Sequence, residues 1–221
     1  MGSAKNSSNA SRKARIEEMR RAEQSRERRN RILTIAASVV VVAGLVVGGV
    51  VLVKSQSDKN DTASDSKAAS GHFVTGADGV KTWKGTLGRT HVSKTVKYPM
   101  EPPVGGDHNQ VWMNCNGDVY TKAINNMNAV HSLEHGAVWV TYNSKASDAD
   151  VKALAAKVKK TPYTLMSPVE DQKDPIMLSA WGKQRTVTGA SDPNIDKFFA
   201  EFVQGKQTPE PGAACTNGLS Q

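Results

Sequence analysis

The chain has 221 residues and a formal net charge of +8, which leaves room for one domain with appendages. The charge is concentrated near the start, since residues 1–31 carry ten Lys or Arg against four Glu, a net of +6. A nucleic-acid-binding domain spreads positive charge over a folded face, and the aromatic residues that stack on bases make up only 5% of this chain. The composition therefore argues against a nucleic-acid partner, and the two Cys residues exclude a disulfide-dense scaffold.

Residues 32–53 form a run of 22 residues without a charged side chain. A helix of this length spans roughly 33 Å at about 1.5 Å per residue, enough for a bilayer core. The run is longer than a signal-peptide core and does not end at a small-x-small cleavage site, so a retained single transmembrane helix is predicted. By the positive-inside rule, the basic arm lies in the cytoplasm and the rest of the chain outside the cell membrane. Gly44 and Gly48 form a GxxxG pair, a candidate contact for a homodimer.

Residues 54–70 are polar, with no aromatic side chain and no aliphatic one larger than Ala, so they are predicted to be a flexible linker. The rest of the chain has an ordinary size for one hydrophobic core. The expected organisation is a basic cytoplasmic arm (1–31), a transmembrane helix (32–53), a linker (54–70) and an extracytoplasmic domain (71–221).

The second half of that domain contains sequence patterns that predict individual strands and helices. Residues 137–142 are rich in β-formers and predict a strand, and 163–167 and 176–181 are shorter strand candidates. Ser147 has the character of an N-cap for a helix, with apolar residues following at helical spacing up to Val158. Asp192-Pro193 opens a second helix that Gly205 ends. This order predicts an α+β sandwich of ferredoxin-like type, while residues 71–128 are expected to form loops, turns and a few short strands.

The two cysteines, Cys115 and Cys215, are one hundred positions apart. Thiols outside the cytoplasm tend to oxidise, so a disulfide between them is predicted. A catalytic thiol and a thiolate metal ligand are the alternatives, and a paired cysteine can be neither.

The histidines are more informative about function than the cysteines, because His131 and His135 are at positions i and i+4 in the stretch His131-Ser132-Leu133-Glu134-His135. On a helix both rings share one face and reach one metal ion, with Asn128 as a candidate N-cap and Gly136 as the C′ glycine. The H-x-x-E-H spacing is also that of inverzincin metalloproteases, in which the Glu, here Glu134, is the base. The helix has only about two turns before Gly136, which disfavours a protease. Metal binding and structural hydrogen bonding both remain open.

Several segments together resemble the DUF3105 family, a bacterial group of membrane-anchored extracytoplasmic proteins with no assigned activity. The most specific are Pro102-Pro103-Val104-Gly105-Gly106-Asp107-His108 and Ala129-Val130-His131-Ser132-Leu133-Glu134-His135-Gly136-Ala137-Val138. The pattern covers about residues 80–216, from the stretch around Arg89 to Cys215, and includes both cysteines. The recurring histidines of the family fall on His91, His108, His131 and His135, whereas His72 lies outside the pattern.

These residues predict a metal site with His131 and His135 as ligands and His108 as a third. His91 is the fourth candidate or a donor that orients one of the others, and Glu134 completes the shell or accepts a hydrogen bond from a ligand. Imidazoles without a free thiolate suit Cu(II) or Zn(II). Four Met residues are candidate Cu(I) ligands or core fillers: Met113, Met127, Met166 and Met177.

The leading hypothesis is a membrane-tethered accessory protein that binds copper or zinc and hands it over, or senses it, near the outer membrane face, where it serves a membrane or envelope protein. The main alternative is a structural or protein-interaction module whose histidines form a hydrogen-bond network. A metal-dependent hydrolase with Glu134 as base is the third.

Overall fold

The structure is a computed structural model, and it describes residues 70–220. Its elements, in chain order, are β1 (Gly71–Thr75), β2 (Lys81–Gly85), β3 (Asn116–Val119), α1 (Asn126–Glu134), β4 (Val138–Tyr142), α2 (Asp148–Val158), β5 (Thr164–Pro168), β6 (Ile176–Ala180), β7 (Lys183–Thr186) and α3 (Asn194–Phe202). Within residues 70–220 no helix combines the length and the apolar character that crossing a bilayer requires. The predicted arm and transmembrane helix, and the linker up to residue 69, lie outside the described residues.

A β-α-β unit forms the middle of the domain, because local signals specify each of its parts. Ser147 caps α2, as the sequence predicted, and its side chain accepts a hydrogen bond from the backbone N–H of Asp150. The helix carries the chain back across the sheet, so β5 pairs with β4 in parallel. The strands predicted at 137–142, 163–167 and 176–181 correspond to β4, β5 and β6, each within about one residue.

The seven strands form one mixed sheet in the order β1-β2-β7-β6-β4-β5-β3. The domain is therefore of mixed α/β type, but its strand order differs from the ferredoxin-like sandwich that the sequence suggested. That fold splits its β-α-β units with an intervening strand, whereas β4 and β5 here are direct neighbours. β6 pairs antiparallel with the other side of β4, so the sheet grows in that direction instead.

An unpredicted hairpin extends the sheet beyond β6. Trp181 and Gly182 make a two-residue turn between β6 and β7, and Gly182 has a φ of +66°, which favours glycine. β7 then pairs with β2, and β2 pairs with β1, both antiparallel. Three of the short strands expected in the first half of the domain, β1, β2 and β3, thus lie at the two edges of the sheet.

Both faces of the sheet are covered, and the alternation along β4 shows how. Val138 and Val140 belong to one buried cluster, in which α2 and α3 pack through Leu154, Val158 and the predicted apolar residues of α3. Trp139 belongs to the other cluster, with α1, Met113 and the two cysteines. The α3 residues in the first cluster are Ile195, Phe198, Phe199 and Phe202. Because α1 lies on the second face, that face holds the histidine-rich segment.

The predicted disulfide is present between Cys115 and Cys215, and both residues are buried in the second cluster. It fastens the C-terminal tail to the segment before β3. The backbone N–H of Cys115 also donates to the carbonyl of Cys215, and the N–H of Asn114 donates to that of Leu219. The tail is therefore held against the face of the sheet that carries α1.

Candidate metal centre

Helix α1 places His131 and Glu134 on one buried face, three residues apart. Asn125 caps the helix by accepting a hydrogen bond from the N–H of Met127, so the cap lies three residues before Asn128, the cap that the sequence suggested. His135 is the C-cap residue, and Gly136 follows with a φ of +91°, in the C′ position expected for it. The Gly136 conformation ends the helix and turns the chain into β4.

His108 and His91 come from two loop segments that pair with each other beside α1. The N–H of His108 donates to the carbonyl of Thr90, and the N–H of Val92 donates to that of His108, which makes an isolated parallel bridge. His108 follows Gly105 and Gly106, which have φ values of +147° and +125°. A residue with a Cβ rarely adopts such angles, so the glycines allow the sharp path that delivers His108 to the helix.

Three of the histidines are held by backbone carbonyls through the same ring nitrogen. The Nδ1 atom of His108 lies 2.8 Å from the Gly106 oxygen, that of His131 2.7 Å from the Asn109 oxygen, and that of His135 2.6 Å from the Ala214 oxygen. A carbonyl only accepts hydrogen bonds, so each Nδ1 carries the proton, and each Nε2 has the lone pair when the ring is neutral. Metal-ligating histidines have this arrangement, because the carbonyl orients the ring.

Four side chains converge on one small volume: His91, His108, His131 and Glu134. One ligand atom from each lies within 4.8 Å of all the others. The rings are in contact, with centroids 4.7 Å apart for His91 and His131 and 4.8 Å apart for His108 and His131. His108, His131 and Glu134 are 0%, 3% and 1% exposed. The group supplies three imidazole nitrogens and one carboxylate, a donor set that zinc, copper and iron sites use.

The carboxylate of Glu134 divides its two oxygens between different neighbours. Oε1 accepts a hydrogen bond of 2.7 Å from Nε of Arg89, while Oε2 lies 2.9 Å from Nε2 of His108 and 3.9 Å from Nε2 of His91. Burial acts to raise the pKa of Glu134, but His108 and Arg89 outweigh it and lower that pKa to about 2. Glu134 is therefore an anion at any ordinary pH.

His108 carries a buried ring nitrogen without a hydrogen-bond partner. Its Nε2 is close to the carboxylate of Glu134, but the two are not aligned for a hydrogen bond, and no other described residue supplies one. A buried polar atom left in this state costs stability unless a proton or a cation lies between it and the carboxylate. A metal ion bound to both groups meets that need.

Burial, with a smaller effect from the neighbouring imidazoles, keeps His131 neutral. Burial, followed by the neighbouring His135, lowers the pKa of His131 to about 4. Burial also lowers the pKa of His135. Neutral imidazole is the form that coordinates a metal, so His131 is ready for coordination throughout the neutral pH range.

His135, which the sequence placed first among the ligands with His131, is adjacent to the group but not part of it. Its ring packs edge-on against that of His131 at 4.5 Å, and its Nε2 lies 3.9 Å from Oε2 of Glu210. Trp112 packs against both rings, with centroids 5.6 Å from His131 and 5.0 Å from His135. His135 and Trp112 thus form a wall beside the four converging side chains.

The remaining sequence candidates lie elsewhere. His72 is on edge strand β1, opposite Lys84. Both cysteines are in the disulfide, so neither is a thiolate ligand. All four methionines that the sequence offered as soft ligands are buried among the core residues: Met113, Met127, Met166 and Met177.

Sequence reasoning missed two charged residues at the rim of the site, Arg89 and Glu210. Arg89 links Glu210 to Glu134, since its Nη2 lies 3.3 Å from Oε1 of Glu210 while its Nε donates a hydrogen bond to Glu134. Glu210 comes from the tail that the disulfide holds, and its backbone N–H donates to the carbonyl of Glu134. In the sequence, the position of Arg89 two residues before His91 could have indicated that it lies near the site. No local pattern indicates this for Glu210.

The fold and site define a mixed α/β domain with a buried His/Glu group on the loop-covered face of its sheet. The model of a protein family of unknown function, DUF3105, matches residues 91–217. The chain belongs to this family, as the resemblance indicated, and the matched residues include all four converging side chains. No curated protein and no solved structure matches the chain.

Proposed function

We propose that this protein binds one transition-metal ion through His91, His108, His131 and Glu134, on the outer side of the membrane to which its predicted helix tethers it. The observation that carries the proposal is the shared orientation of His108 and His131. Each uses Nδ1 to donate to a backbone carbonyl, which leaves Nε2 as the nitrogen free to coordinate, and both residues belong to the group whose ligand atoms lie within 4.8 Å of one another around the anionic Glu134. A hydrogen-bond network needs no such common orientation, whereas metal coordination does.

Zinc or Cu(II) fits the donor set better than Cu(I). Cu(I) prefers sulfur ligands, and both the thiols and the four candidate thioethers are used elsewhere in the fold. In tetrahedral zinc sites with bonds of about 2.1 Å, ligand atoms lie roughly 3.4 Å apart. The four ligand atoms lie within 4.8 Å of one another, so a closing movement of about 1 Å brings them into coordination.

The role we propose is that of an accessory protein that holds copper or zinc for a membrane or envelope partner. A hydrolytic role has less support, because a general base works best with a pKa near the operating pH. The pKa of Glu134 lies far below that range, and Arg89 occupies one of its oxygens.

A structural module is the second candidate, and the ion pairs favour it. Arg89 already pairs with Glu134 without an added ion, and Nε2 of His108 lies 2.9 Å from the same carboxylate, as expected of a network that only fastens loops to α1. In that case the histidines contribute stability and no metal affinity.

Metal titration of the purified full-length chain, without a histidine tag, separates the two candidates. We expect one zinc or copper ion per chain at micromolar concentrations, measured by elemental analysis after gel filtration. H131Q and H108Q should each lose the ion, whereas H72Q, a change on β1 away from the site, should keep it. A chain that takes up neither metal, or an ion that survives in H131Q, would favour the structural module.

A further inference from the structure

The four groups of the proposed metal site differ in how firmly the rest of the protein holds them. His108 and His131 are each anchored through Nδ1 to a carbonyl, and Glu134 is anchored through Oε1 to Arg89. His91 has no such support, since neither of its ring nitrogens makes a hydrogen bond with any residue in the range 70–220. Its Nε2 lies 3.9 Å from Oε2 of Glu134, which is too far for a hydrogen bond.

His91 is also the one group of the four that solvent reaches. Its side chain is 42% exposed, whereas those of His108 and Glu134 are 0% and 1% exposed. Its ring lies over that of His131, nearly parallel, with an interplanar angle of 28°. His91 therefore covers the inner ligands from the solvent side.

The backbone at His91 is held while its side chain is not. The neighbouring residues Thr90 and Val92 both exchange hydrogen bonds with the backbone of His108. A rotation about the side-chain bonds of His91 swings its Nε2 out to solvent and leaves this pairing intact. The rings of Trp112 and His135 also pack against that of His131, and they contact each other.

We propose that the bound ion enters and leaves past His91, and that an acceptor takes the ion by offering an imidazole or carboxylate of its own in place of His91. The inference rests on the proposed metal-binding function. Three anchored ligands retain the ion while the fourth is exchanged, so transfer proceeds by ligand replacement rather than by release of the free ion. This suits a protein that passes metal on, because a site closed on all four sides exchanges its ion slowly.

Stoichiometry and transfer rate, measured together on the full-length chain, test this route. Wild type and H91A are each loaded with one zinc ion and mixed with a chromogenic zinc chelator. For wild type we expect a transfer rate that rises with chelator concentration. H91A should still bind one ion but transfer it at least tenfold faster, and added free imidazole should slow that transfer again. H72A, loaded and mixed in the same way, removes an imidazole on β1 outside the site and should transfer its ion at the wild-type rate.

The outcomes test the route past His91 separately from the proposed metal-binding function on which it rests. If wild type binds no ion, the metal-binding proposal itself fails. If wild type binds one ion but H91A transfers it at the wild-type rate, or retains no ion at all, the route past His91 is overturned. An equal acceleration in H72A would show that the effect is not specific to His91 and would overturn the route as well.

Discussion

Removing the disulfide by changing both Cys115 and Cys215 to Ala should lower the stability of the domain by a large and calculable amount. The bond spans a sequence separation of 100. In the chain-entropy model, closing a loop of that size stabilises the folded state by about 4.7 kcal/mol at 25 °C. Measured losses are often smaller than this, so about 3–5 kcal/mol is expected. For a domain of this size, the melting temperature should fall by about 6–20 °C.

The folded structure should survive the change, because backbone hydrogen bonds still pair the tail with the segment before β3. His108 and His131 are anchored to Gly106 and Asn109, outside the tail, so the variant should still bind one metal ion. His135 is anchored to Ala214, next to Cys215, and it is the histidine whose environment should change.

Thermal unfolding followed by tryptophan fluorescence is a suitable assay, because all four Trp residues lie between positions 83 and 181, within the domain. Wild type with and without reductant is the matched control. A loss below about 1 kcal/mol would refute the loop-closure reasoning. Loss of the metal ion in the folded variant would refute the claim that His108 and His131 are held independently of the tail.

Three further predictions concern the site and its helix. E134Q should destabilise the metal-free protein by about 2–4 kcal/mol in urea unfolding, because it removes the buried anion that pairs with Arg89. E201Q, on the exposed side of α3, should change stability by less than about 0.5 kcal/mol. His131 has a pKa lowered from 6.5 to about 4, so its protonation favours the unfolded chain, and the stability of the metal-free protein should fall as pH drops from 6.5 to 4, with a shallower fall in H131Q. G136A should destabilise by at least about 1–2 kcal/mol in thermal unfolding, since Gly136 has a φ of +91° and an added Cβ would collide with Gln204 and Thr208.

The second half of the domain was largely predictable because its signals are local. Ser147 and the apolar spacing of α2 define that helix without reference to the rest of the chain. The same holds for α3, whose four buried apolar residues follow helical spacing. The strand order was not predictable in this way, because it depends on which edge of β4 receives β6 and on the turn at Gly182 that adds β7.

The sequence predicted which residue types form the candidate site, but not which individual residues belong to it. On a helix, Glu134 and His135 both share a face with His131, so spacing alone does not distinguish them as ligands. The structure separates them through the C-terminal tail, where Ala214 takes Nδ1 of His135 and Glu210 lies near its Nε2. The tail is 79 positions away in sequence from His135, and no local pattern reports that contact.

The placement of Glu134 inside the converging group and of His135 outside it also bears on the role of the H-x-x-E-H stretch in this protein. In the protease pattern, the two histidines hold the metal and the glutamate stays free to act as base. Here Glu134 joins His131 in the converging group, His135 stands outside it, and Arg89 holds the second oxygen of the carboxylate. In the proposed metal site, His108 and His91 take the place of His135, brought in by the Gly105-Gly106 turn and its paired loop. The helix would then supply a histidine and a carboxylate as ligands, an arrangement that suits holding an ion better than activating water.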